Sequence, residues 1–134
     1  MKIALCFLSL CAITASAQLA VTVSPPKVTG QKAVVPLAIT NNLAEKIESA
    51  RALCFLLDEQ GKMVGQSAKW VVGSKGQTAL EPKKGTTFDF VITSPQPFAS
   101  TNLTAKVNFT RVILAGGKLA NVIKDVSMTA QSQH

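Results

Sequence analysis

Apolar and polar residues alternate with a period of two along most of this chain. Phe88, Phe90 and Ile92 alternate with Thr87, Asp89 and Thr93, and Leu103, Ala105, Val107 and Phe109 alternate with Thr104, Lys106, Asn108 and Thr110. Val35, Leu37 and Ile39 continue the pattern, as do Leu19, Val21 and Val23. Such alternation predicts strands with one buried and one wetted face. Turn signals separate the runs: Ser24-Pro25-Pro26, Asn41-Asn42, Asp58-Glu59-Gln60-Gly61, Gly73-Ser74-Lys75-Gly76, Pro82-Lys83-Lys84-Gly85, Ser94-Pro95-Gln96-Pro97 and Gly116-Gly117. The strands predicted between them run over 19–24, 33–40, 48–57, 62–72, 86–93, 103–114 and 118–127.

About seven short antiparallel strands at this spacing predict an all-β, immunoglobulin-like sandwich over residues 18–128, followed by a flexible tail at 129–134. Pro36 interrupts the second strand, because it has no N–H for the ladder. Either it marks a bulge, or that strand is not interior as the architecture requires. The third strand is apolar on both faces, with Ala50, Ala52, Cys54 and Leu56 on one side and Leu53, Phe55 and Leu57 on the other. A two-layer sandwich buries only one of them. In the sixth strand the polar phase stops at Arg111 and gives way to Val112, Ile113 and Leu114. If the third and sixth strands are neighbours, Leu53, Phe55, Leu57, Val112 and Leu114 form an outer apolar patch. Such a patch either contacts a partner or lies under a loop, the candidates being the 95–101 segment and the C-terminal tail.

The first residues follow a different pattern. Lys2 precedes an apolar run from Ile3 to Ile13 broken only by Ser9, and Ala15-Ser16-Ala17 then matches a small-x-small cleavage site. Residues 1–17 therefore read as a secretory signal peptide cut between Ala17 and Gln18, with a run too short to span a bilayer. No later segment is long and apolar enough for a membrane anchor. The protein is expected to be secreted or periplasmic. Cys6 and Cys11 leave with the leader and Cys54 is left without a partner, so the exported domain is stabilised by its core and not by a disulfide. Its length is sufficient, since a domain near this size buries about two-thirds of its unfolded surface. The neighbours Leu53 and Phe55 make Cys54 a buried, inert thiol.

From Asn41 to Phe90 the chain resembles the FxLYD-type and related immunoglobulin-like domains of exported bacterial proteins. The resemblance is carried by Asn41-Asn42, Ile47, the strand Cys54-Phe55-Leu56-Leu57-Asp58, Gly61-Lys62, and Leu80-Glu81-Pro82-Lys83-Lys84-Gly85 ahead of Phe88. Cys54 stands where the family motif has Phe, and Leu57 where it has Tyr. The resemblance implies an exported interaction or accessory module, with no catalytic residues and no cofactor. It also implies a bacterial source, where the sequons at Asn102 and Asn108 are chance matches.

The residue inventory points the same way. The only His is His134, and there is no Tyr. Nucleophilic catalysis has no imidazole base to draw on, and a metal centre has too few soft ligands. The seven carboxylates fall at turns or on wetted strand positions, and no pair is marked for general acid–base work. The formal charge of +7 favours anionic partners, yet the basic residues are scattered and lack the aromatic interleaving of a nucleic-acid site. These readings converge on a non-catalytic module that binds a protein or an anionic envelope component through a sheet face or end loops. The alternative is a secreted proteinase inhibitor, with the Gly73–Gly76 loop as its wedge and Trp70 packed beside it in the core. The intact mass of the exported protein is expected to match a chain beginning at Gln18; a mass that retains residues 1–17 contradicts the leader.

Overall fold

The computed structural model describes residues 18–73 and 78–131. The expected leader and cleavage site at Ala17 lie outside the described residues, as does most of the expected wedge loop. Eight strands form two layers: β1 Leu19–Val23, β2 Lys27–Thr29, β3 Lys32–Asn41, β4 Ile47–Leu57, β5 Met63–Val72, β6 Gly85–Thr93, β7 Thr104–Leu114 and β8 Val126–Ala130. β3 is the spine of a five-stranded sheet. β6 pairs along one of its edges, and β1 and then β2 share the other, with β8 outside β1. The second sheet is β5-β4-β7. Among the described residues no helix is long and apolar enough to cross a membrane.

The core is the period-two pattern folded shut. Val21, Val35, Leu37, Ile39, Phe90 and Ile92 from the larger sheet meet Ala52, Cys54, Leu56, Val107, Phe109 and Val112 from the smaller one, all buried. The layers approach closely at Gly65, where a β-carbon would come within 2.9 Å of Ile92 Cγ2. Pro36 resolves without a bulge, since β3 and β6 stay in register through Pro36 and Asp89. The Pro36 carbonyl accepts from Ser24 N at 2.9 Å, so its missing N–H faces the Ser24-Pro25-Pro26 break between β1 and β2, where no strand asks for it.

Two expectations are corrected at the C-terminal end. The predicted strand 118–127 is not continuous. After a short 3-10 turn at Ala115–Gly117, the chain pairs with β7 only briefly, through Leu114 N to Lys118 O and Ala120 N to Val112 O. The Asn121 side chain then accepts from Ile123 N and Lys124 N, and Asp125 Oδ2 accepts from Asn121 N, so local side-chain bonds outcompete the ladder. The turn carries the chain to the other layer, where β8 runs parallel to β1. Thr129 and Ala130, expected in a loose tail, are the last residues of that strand, and the sandwich is antiparallel in every pairing but this one.

The crossing from β3 to β4 turns on Asn41, a fully buried polar residue. Its Nδ2 donates to Glu45 O at 3.0 Å and Leu80 O at 2.9 Å, and its Oδ1 accepts from Leu43 N at 2.9 Å. Its backbone N–H and C=O bond Lys84 O and Lys83 N. The side chain thereby ties the crossover to Leu80, and the Asn41 backbone bonds Lys83, which stands in a left-handed conformation (φ 68°) that costs a non-glycine residue about 1 kcal/mol. Asn41→Ala leaves the part-buried Glu45 O and Leu43 N without this partner, while Leu80 O keeps its bond from Ile47 N, and is expected to cost roughly 2 kcal/mol in chemical denaturation. A loss below about 0.5 kcal/mol would show that the hub is not structural.

Candidate functional site

β4 is the middle strand of the smaller sheet, so its backbone bonds are spent sideways and its two faces are free to differ. Ala50, Ala52, Cys54 and Leu56 are buried against the larger sheet, whereas Leu53, Phe55 and Leu57 point outward and are half-buried. The described parts of both segments that could cover them lie elsewhere. The loop after β6 is held against the β2–β3 turn by Phe98 N to Gly30 O and Gln31 Nε2 to Pro95 O. The tail follows β1 through Gln131 N to Val23 O. Among the described residues no layer lies over the outer face of β4.

The rest of the expected patch is rearranged. Val112 is fully buried in the core, and Leu114 packs against it. The cause is a bulge in β7: Arg51 pairs with Arg111 but Ala52 with Phe109, leaving Thr110 as the extra residue. One inserted residue flips the side-chain phase, which sends Val112 inward and keeps Thr110 and Arg111 exposed. The outward neighbours of Leu53, Phe55 and Leu57 on β7 are therefore Asn108, Lys106 and Thr104.

A second bulge sits on the other side of the same residue. Ala50 pairs with Val72 and Arg51 with Trp70, so Val71 is the extra residue in β5. Val71 and Val72 are both buried, and Trp70, expected in the core, is turned out with 37% of its surface exposed. Trp70, Arg51 and Arg111 thus form one row across the three strands, and Thr110 Oγ1 donates to Arg51 O at 3.3 Å. They are the only Trp and the only two Arg of the chain. Exposed Met63, opposite Leu57, closes the far end of the apolar line.

The electrostatics of this face are one-sided. β5 and β7 carry no carboxylate, and Glu48, the only one in β4, accepts from Gly116 N at 3.3 Å at the opposite end of the strand from the β4–β5 hairpin. At that hairpin Asp58 accepts from Gln60 N and Lys62 N, and Glu59 from Asn102 Nδ2. Lys106, Arg51 and Arg111 accordingly have no acid among their cross-strand partners. The one ion pair found among the described residues, Lys118 to Glu45 at 2.7 Å, lies off this face.

Elsewhere the described residues offer little chemistry. A surface groove of about 520 Å³ beside Leu80 and Gly85 carries Glu81 and Lys84 as its charged groups. No cluster of three or more His, Cys, Asp or Glu stands ready for a metal among the described residues. Neither any protein-family model nor any curated protein matches this chain. Cys54, on the inner face of β4, is fully buried, and burial pushes its thiol up to about 12. An unfolded thiol ionises near 9.0, so the unfolded chain loses this proton first and the contribution of Cys54 to stability declines as pH rises from 9.0 toward 12. In the chain beginning at Gln18, Ellman's reagent at pH 8 is expected to find no reactive thiol until denaturant is added; rapid labelling of that folded chain contradicts the burial.

Proposed function

We propose that this chain is an exported, non-catalytic interaction module whose contact surface is the outer face of the β5-β4-β7 sheet. The observation that carries the reading is the half-buried line Leu53, Phe55 and Leu57, left without a covering layer among the described residues and bordered by the exposed Trp70 and Met63 and by three cations. Contiguous apolar surface on a domain of this size is a contact site in the ordinary case. The scattered carboxylates and the lack of any His before His134 support a role in binding, not in turnover.

The domain is immunoglobulin-like in this reading. β3 pairing with β6, and β4 with both β5 and β7, give the two-layer arrangement such domains use, with the last strand moved to the edge of the larger sheet. The FxLYD-type resemblance fits the same picture, since its Asn-rich turn and its Leu-x-Pro-x-x-Gly segment meet at Asn41 and Leu80. Export is supported by β1 starting at Leu19, immediately after the proposed cut between Ala17 and Gln18.

Carboxylates introduced on the face test the reading. Phe55→Glu and the fold-sparing Met63→Asp, at a position 48% exposed, are expected to lower retention of envelope-extract components on the immobilised protein at least tenfold. Asp89→Ala, on the larger sheet, serves as the control. Undiminished retention by both folded face variants would sink the proposal.

A further inference from the structure

The proposed contact face holds an arrangement that the fold itself does not call for. The chain has two arginines, and they stand directly opposite one another on adjacent strands. Like charges so placed are destabilising. The bulges in β5 and β7 flank the same residue, Arg51, one on each side. Bulges re-aim side chains, and here they turn Trp70 and Arg111 outward while Val71 and Val112 go into the core. With strands about 4.8 Å apart, the row Trp70, Arg51, Arg111 spans roughly 10 Å of flat surface. The twelve other cations are all Lys. Arginine is the side chain whose planar fork takes two oxygens of a phosphate at once.

We infer that this face, if it is the contact surface proposed above, seats on an anionic phospholipid bilayer. Arg51 and Arg111 take lipid phosphates, Lys106 adds a third cation, and Trp70 and Met63 enter the headgroup layer. The combination of charges and apolar groups selects this partner. A soluble polyanion satisfies the cations but leaves the line Leu53, Phe55 and Leu57 in water. A protein surface would have to offer matched carboxylates and a matched apolar strip. The bilayer interface supplies phosphates and acyl chain ends together, and Trp is at home there. Each basic residue near an anionic membrane surface is worth about 1 kcal/mol, or roughly fivefold in binding.

Trp70 is the only indole in the chain, so its fluorescence reports on this face alone. The processed chain is titrated with vesicles of phosphatidylglycerol and phosphatidylcholine, with phosphatidylcholine alone, and with soluble polyphosphate. Expected are a blue-shifted Trp70 emission with the anionic vesicles, quenching by brominated acyl chains, and weakening by salt. Arg111→Gln lowers vesicle affinity about fivefold and Arg51→Gln/Arg111→Gln roughly thirtyfold, with thermal unfolding recorded to verify that each variant is folded. Vesicle binding that leaves Trp70 emission unchanged places the membrane contact elsewhere and overturns the inference, as does affinity indifferent to the exposed Arg111. A Trp70 response to polyphosphate or to an acidic protein, but not to vesicles, overturns the lipid assignment and leaves the contact-face reading standing. Retention lost in the Met63→Asp variant with no vesicle binding by the parent separates the two in the same way.

Discussion

The middle strand of a three-stranded sheet has no backbone groups left over, and this condition shapes everything else in the molecule. β4 bonds β5 on one side and β7 on the other, so whatever it contributes beyond the ladder comes through its faces. One face is spent on the core, where Ala50, Ala52, Cys54 and Leu56 are small enough for the two layers to close. The other carries Leu53, Phe55 and Leu57, side chains that a purely structural strand would make polar. The proposed contact accounts for that departure.

The bulges decide which side chains stand beside that face. Each adds one residue to a partner strand at Arg51, and each resolves two conflicting demands: valines that must enter the core, and Trp70 or Arg111 that must stay out. Without the insertion in β7, continued alternation would put Val112 on the outer face and Arg111 on the inner one. Burying an unpaired guanidinium is far more costly than the distortion of a bulge. The buried Asn41 serves the same end from a distance, since its three side-chain hydrogen bonds fix where the chain leaves the larger sheet and enters β4.

Most of the fold was legible in the sequence. The alternating runs around Leu37, Phe88 and Val107 are strands, the Asp58–Gly61 turn closes a hairpin, and β4 has two apolar faces. The errors share one physical cause: periodicity carries no signal for a single inserted residue or for a side chain that competes with the backbone. Trp70 read as core because a large aromatic ring is ordinarily buried, and nothing announced the extra Val71. Val112 read as surface because the phase was carried across Thr110. Asn121 looked like an ordinary strand residue, although its carboxamide ends the pairing to β7 and sends β8 to the other layer. Asn41 looked like a surface turn. The usable hint lay in the two arginines, each next to an abrupt change in alternation.

Hydroxyl-radical footprinting of the processed protein, free and engaged with envelope material, tests the central claim most directly. The account predicts loss of labelling at Trp70, Met63, Phe55 and Leu57 on engagement, with Val91 and Met128 on the larger sheet unchanged. Protection confined to Val91 and Met128, or to the loops at the ends of the sandwich, would contradict it.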